Sequence, residues 1–119
     1  MIKRTGIDYA NDILESVNDI GDFIHGIGLK EFGHDKKTLY AILRSLEVMG
    51  EAAKKIPESV QKRYPQIPWK KMMATRDKLI HGYFGIEISM IWEVVKNDLP
   101  PLKPYLEKMV RALEKEESG

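Results

Sequence analysis

Apolar residues recur three and four apart along almost the whole chain, and no stretch alternates apolar with polar residues. That rhythm builds one buried strip on a helix and scatters on a strand, so it confines the chain to helices. From about Arg4 to Ile27 the strip is Ile7, Ala10, Leu14, Val17, Ile20, Ile24 and Ile27, with an ending expected between Gly26 and Phe32. A second helix is expected from about Asp35, a plausible N-cap, to Ile56, with Leu39, Ile42, Leu46, Met49, Ala53 and Ile56 facing inward. Gly50 in its middle costs about 1 kcal/mol relative to alanine, which close helix packing would explain.

Pro57 suits the first position of a short helix over Pro57 to Arg63, and a third long helix follows from about Pro68 to His81 or Gly82, anchored in the core by Trp69. Beyond Gly85 the ladder Ile88, Ile91/Trp92, Val95, Leu99, Leu102, Leu106, Met109 and Leu113 keeps its phase through Pro100-Pro101. Two helical pieces joined by a kink are therefore expected, with Asp98 capping the second. The fold class is all-α: an up-and-down bundle of four main helices plus a short one, the last helix kinked at Pro100-Pro101. One domain over residues 1–119 is expected, its core about residues 4–113 and its polar tail from Glu114 frayed.

Composition narrows the chemistry. With no cysteine there is no thiol nucleophile, thiolate metal site or disulfide. No phosphate loop or HExxH appears, and His25 and His34 read as helix-terminal residues without a third ligand at metal spacing, so neither metal nor cofactor is expected. The N-terminus has no apolar leader, and no run nears the ~18 apolar residues of a membrane span, which suits a cytoplasmic protein. The formal net charge of +1 is uneven: residues 54–78 carry eight basic and two acidic residues, a local +6 against −5 for the rest. A positive surface of that kind suits a polyanion such as RNA.

The chemistry-bearing residues concentrate in Arg76-Asp77-Lys78-Leu79-Ile80-His81-Gly82-Tyr83. Asp77 and His81 are helical i,i+4 neighbours, so the carboxylate can hold the imidazole and favour its charged form. Arg76 is displaced from His81 by about 140° at ~100° per residue, so one chain does not set them on one strip, whereas a two-fold dimer can supply both to a composite site. An imidazole beside a guanidinium can cleave RNA without a metal. The base assists attack by the ribose 2′-hydroxyl, and the arginine stabilises the extra charge. The same residues also make sense as a salt-bridge cluster at a helix end. Glu47 and Glu51, with Arg44, align along the second helix, either as a solvated face with an Arg44–Glu47 ion pair or as a polar wall shared with the motif.

The pattern Arg76-x4-His81-x-Tyr83 resembles the signature of the HEPN superfamily, in its HepT-like branch of RNase toxins paired with MNT-type nucleotidyltransferase antitoxins. Gly50-Glu51-Ala52, Ile67-Pro68-Trp69, Ile91-Trp92 and Leu99-Pro100 are similar to that branch in the same order. The resemblance implies a homodimeric all-α endoribonuclease with Arg76 and His81 catalytic, Asp77 as the polar residue after the arginine, and a polar wall of Glu51 and, less directly, Glu47. It implies Tyr83 as the site where the MNT partner attaches AMP. A non-catalytic helical subunit that binds a nucleotidyltransferase or RNA is the competing expectation.

Overall fold

The computed structural model describes residues 4–80 and 87–118. All regular structure among them is helical: α1 (Gly6–Phe23), α2 (Leu29–Phe32), α3 (Lys36–Lys55), α4 (Glu58–Arg63), α5 (Trp69–Ile80), α6 (Ile88–Glu93) and α7 (Lys103–Ser118), with a π-helical turn (Val94–Asp98) and a 3-10 turn (Pro100–Leu102) between the last two. Helix α1 packs on α3 and α7, and α3 packs on α5, giving the expected bundle of main rods around one apolar core. None of these helices is long and apolar enough to cross a membrane.

Local signals set the helix ends. The Asp8 carboxylate accepts the Thr5 backbone N–H at 2.8 Å and closes the start of α1. The Asp35 side chain accepts from Thr38 N at 3.0 Å and from its hydroxyl at 2.6 Å, as an N-cap should. Trp69 is a core anchor, as expected: its indole N–H donates to the carbonyls of Tyr64 at 3.1 Å and Gln61 at 3.2 Å, locking α4 to the start of α5.

Some details differ from expectation. Ile13, absent from the expected strip of α1, is fully buried, whereas Leu14 is only partly covered. Helix α1 stops at Phe23, and the glycine-rich stretch after it contains an unexpected short helix, α2. Its Phe32 is fully buried and meets the Trp92 ring at 5.2 Å. Pro57 serves as the cap of α4 instead of its first residue.

The C-terminal ladder holds its phase, and Ile91, Val95, Leu99, Leu102, Leu106 and Met109 are all buried. The axis bends by 33° at residue 99. Proline cannot donate a ladder bond, so the backbone re-pairs around Pro100-Pro101, with Leu99 N bonding Val94 O at 3.0 Å and Leu102 N bonding Leu99 O at 2.9 Å. Asp98 does not cap the second piece. It lies within the π turn, and its carboxylate pairs with Lys71 at 3.6 Å. Where a frayed tail is expected from Glu114, α7 continues to Ser118, and Glu116 pairs with Arg63 at 2.9 Å.

Candidate functional site

The site begins with the absence of a side chain. A Cβ added to Gly50 would lie 2.2 Å from Arg76 Cβ and 2.7 Å from Met72 O, so α3 and α5 touch backbone to backbone at this point. That approach starts the Arg76 side chain against α3. Its guanidinium runs along the helix to Glu51, with Nη2 and Oε2 2.7 Å apart. The contact is an ion pair without hydrogen-bond alignment, and Glu51 Oε2 and Arg76 Nε, both shielded from solvent, have no aligned partner among the described residues.

Arg76 Nη1 also donates to Asp77 Oδ1 at 3.2 Å, and Lys54 Nζ reaches the same oxygen at 2.6 Å. The Lys54 hydrogen bond and then that of Arg76 hold the Asp77 carboxyl below its ordinary value of 3.8, against the opposing effect of partial burial. Asp77 is thus ionised and bound to two cations. His81 and Tyr83, with the expected end of the third helix, lie outside the described residues.

Glu51 and Arg76 line a groove of about 220 Å³ between α1, α3 and α5, together with Glu47, Arg44, Tyr9 and Arg4. Glu47 makes the expected ion pair with Arg44 at 3.2 Å and lines the same groove as Arg76. Arg4 and Tyr9 were not expected here. Arg4 reaches Asp12 at 2.6 Å and stacks its guanidinium 4.7 Å from the Tyr9 ring centre. The only sequence signal for them is the helical spacing of Tyr9 and Asp12 on the polar side of α1. A larger cavity of about 380 Å³ lies elsewhere on α5, lined mainly by Leu46, Met49, Met72, Val94, Leu99 and Leu102. Its walls lack Arg76 and its partner Glu51, so the polar groove is the candidate site.

Among the described residues no three His, Asp or Glu side chains are grouped to hold a metal ion. His34 Nδ1 lies 2.8 Å from the Lys30 carbonyl, a contact local to the end of α2.

The family model described as ribonuclease HepT-like matches residues 13–109, a span that includes Gly50, Glu51, Lys54, Arg76 and Asp77. The chain belongs to the HepT-like ribonuclease family. A "Probable ribonuclease HepT" of Thermococcus cleftensis is 44% identical over 108 residues, covering 91% of this chain and 98% of that protein. A Methanocaldococcus jannaschii protein named "Putative RNase MJ0127" is 48% identical over 119 residues, covering 100% and 98% respectively. No solved structure gives a significant match. For a HepT-like ribonuclease, the groove supplies an arginine fixed between two carboxylates at a helix crossing, next to a motif that continues into His81.

Proposed function

We propose that this HepT-like chain is a metal-independent endoribonuclease, acting as a cytoplasmic homodimer and as the toxin of a toxin–antitoxin pair. The carrying observation is the seat of Arg76 over Gly50, between Glu51 and Asp77, in a chain of a ribonuclease family. In the reaction His81 removes the proton of a ribose 2′-hydroxyl, whose oxygen attacks the adjacent phosphorus. Arg76 stabilises the added negative charge, and the 5′-oxygen departs with a proton from a second acid. The products are a 2′,3′-cyclic phosphate and a 5′-hydroxyl, and DNA, which lacks the nucleophile, is spared. Five residues of ideal helical spacing would set Arg76 and His81 about 140° apart, so in this reading the site draws on both copies of a dimer. AMP placed on Tyr83 by an MNT-type nucleotidyltransferase antitoxin adds bulk and negative charge beside His81 and silences the enzyme.

The purified protein should cut RNA in EDTA and leave cyclic phosphate ends. Arg76→Ala and His81→Ala should each lower the rate by about 10²-fold or more with the helical content intact. Undiminished cleavage by both variants would overturn the proposal. After co-expression with an MNT-type partner, intact mass should show AMP-sized additions that Tyr83→Phe abolishes. One observation favours a second reading, a non-catalytic subunit that binds a nucleotidyltransferase or RNA: the Arg76 guanidinium is already engaged by two carboxylates of its own chain. Absence of cleavage by the unmodified protein, with binding retained, would select it.

A further inference from the structure

Glu51 and Lys54 stand three apart on α3, and both reach across to α5, where Glu51 meets Arg76 and Lys54 meets Asp77. The four charges alternate in sign, and the 3.2 Å contact between Arg76 and Asp77 ties the two pairs together. The details of the Asp77 carboxylate matter most. Lys54 Nζ and Arg76 Nη1 both bind Oδ1, and the lysine is the closer of the two, while Oδ2 accepts no hydrogen bond from the described residues. A guanidinium next to an uncontested carboxylate favours a two-point contact that uses both oxygens. By occupying Oδ1, Lys54 opposes that collapse.

We infer that Lys54 is a positioning residue: it anchors Asp77 through Oδ1, which keeps the carboxylate from closing on the guanidinium and leaves Arg76 donors for a phosphate. The inference rests on the ribonuclease reading for its effect on rate, and on the contacts of Asp77 for the anchoring itself. A direct phosphate contact is the ordinary alternative for a lysine in a basic segment. Lys54 is poorly placed for that role, because its ammonium is committed at 2.6 Å to Asp77. Lys55, its neighbour, is exposed and has no ion pair among the described residues, so it serves as the comparison. Among the described residues, the charged groups facing Asp77 are Lys54 and, through Arg76, Glu51 of α3, together with Arg76 of its own helix. Loss of Lys54 removes the first of the influences that keep this carboxyl low.

The test compares Lys54→Met, Lys54→Arg and Lys55→Met. With an RNA substrate, Lys54→Met should lower kcat by about ten- to a hundredfold with KM changed by less than about twofold, the pattern of a misplaced catalytic group. Lys54→Arg should recover most of kcat, because a single-oxygen contact needs a cationic donor and no particular fork. Lys55→Met should act on KM alone. A raised KM at unchanged kcat in Lys54→Met, or no recovery with arginine, overturns the positioning role. The anchoring has its own readout in a carboxyl-carbon NMR titration. The Asp77 midpoint should lie below the ordinary aspartate range in the native chain and move up in Lys54→Met but not in Lys55→Met. An unmoved midpoint overturns the anchoring whatever the cleavage assays give. A native protein that cuts no RNA defeats the proposed function, and the titration still decides the anchoring.

Discussion

Gly50 sets the distance on which the rest of the site depends, and two opposed effects make it testable. Alanine in mid-helix is favoured over glycine by about 1 kcal/mol. Against that, its Cβ would meet the Cβ of Arg76 at 2.2 Å and the Met72 carbonyl at 2.7 Å, atoms fixed to the α5 backbone that cannot swing aside. Overpacking of this kind costs about 1–3 kcal/mol, so the clash should prevail. Gly50→Ala should therefore lower stability in urea denaturation and, as α5 moves outward, weaken RNA cleavage by separating Arg76 from Glu51. A stabilised, fully active variant would show that the two helices part at no cost. The sequence marks Gly50 as an expensive helical residue that close packing would justify, but names no partner for it. Asp77 is the harder case. A local partner, His81, stands four residues on, whereas Lys54 lies 23 residues back, and only the α3–α5 crossing brings it to 2.6 Å.

Among the elements, the long helices are legible because each buries one strip with a helical period, and the C-terminal ladder keeps its phase through two prolines. The short helix α2 is not legible. Three glycines surround it, and its one buried anchor, Phe32, depends on Trp92 some sixty residues later, a tertiary contact with no local trace. The α4–α5 connector shows how a local signal can succeed: Pro65 and Pro68 bracket it, and Trp69 closes it from inside. Gln61 adds a tie from α4 to the end of α3, its side-chain amide donating to the Ala53 and Ile56 carbonyls at 3.2 and 3.0 Å. Trp69→Phe keeps most of the ring but deletes the N–H shared by Tyr64 O and Gln61 O. Both carbonyls still accept a backbone N–H, Gln61 O from Tyr64 and Tyr64 O from Ile67, each at 3.1 Å, so the loss should be that of a net hydrogen bond, about 0.5–1.5 kcal/mol. The measurement is the urea midpoint, with the slope unchanged; an unshifted midpoint would mean that the anchor works by burial alone.

At the scale of the molecule, the basic segment looks different once folded. Of its eight cations, Lys54, Lys62, Arg63, Lys71 and Arg76 meet carboxylates, three of which, Glu51, Asp98 and Glu116, come from outside the segment. Exposed Lys55, Lys70 and Lys78 have no ion pair among the described residues, and they are the ones free to meet a phosphate backbone. Charge alone therefore does not build the proposed active centre, which also needs the proposed division of Arg76 and His81 between two copies. That division has a direct test. In the proposed dimer, a mixed pair of one Arg76→Ala copy and one His81→Ala copy contains one site with both residues intact and one with neither. When equal amounts of the two inactive variants exchange subunits freely, half the dimers are mixed, so about a quarter of native activity should return. The return should need time for exchange and should disappear when each variant is first cross-linked to itself. If each site took both residues from the same copy, every mixed dimer would lack one residue at each site, and mixing would restore nothing.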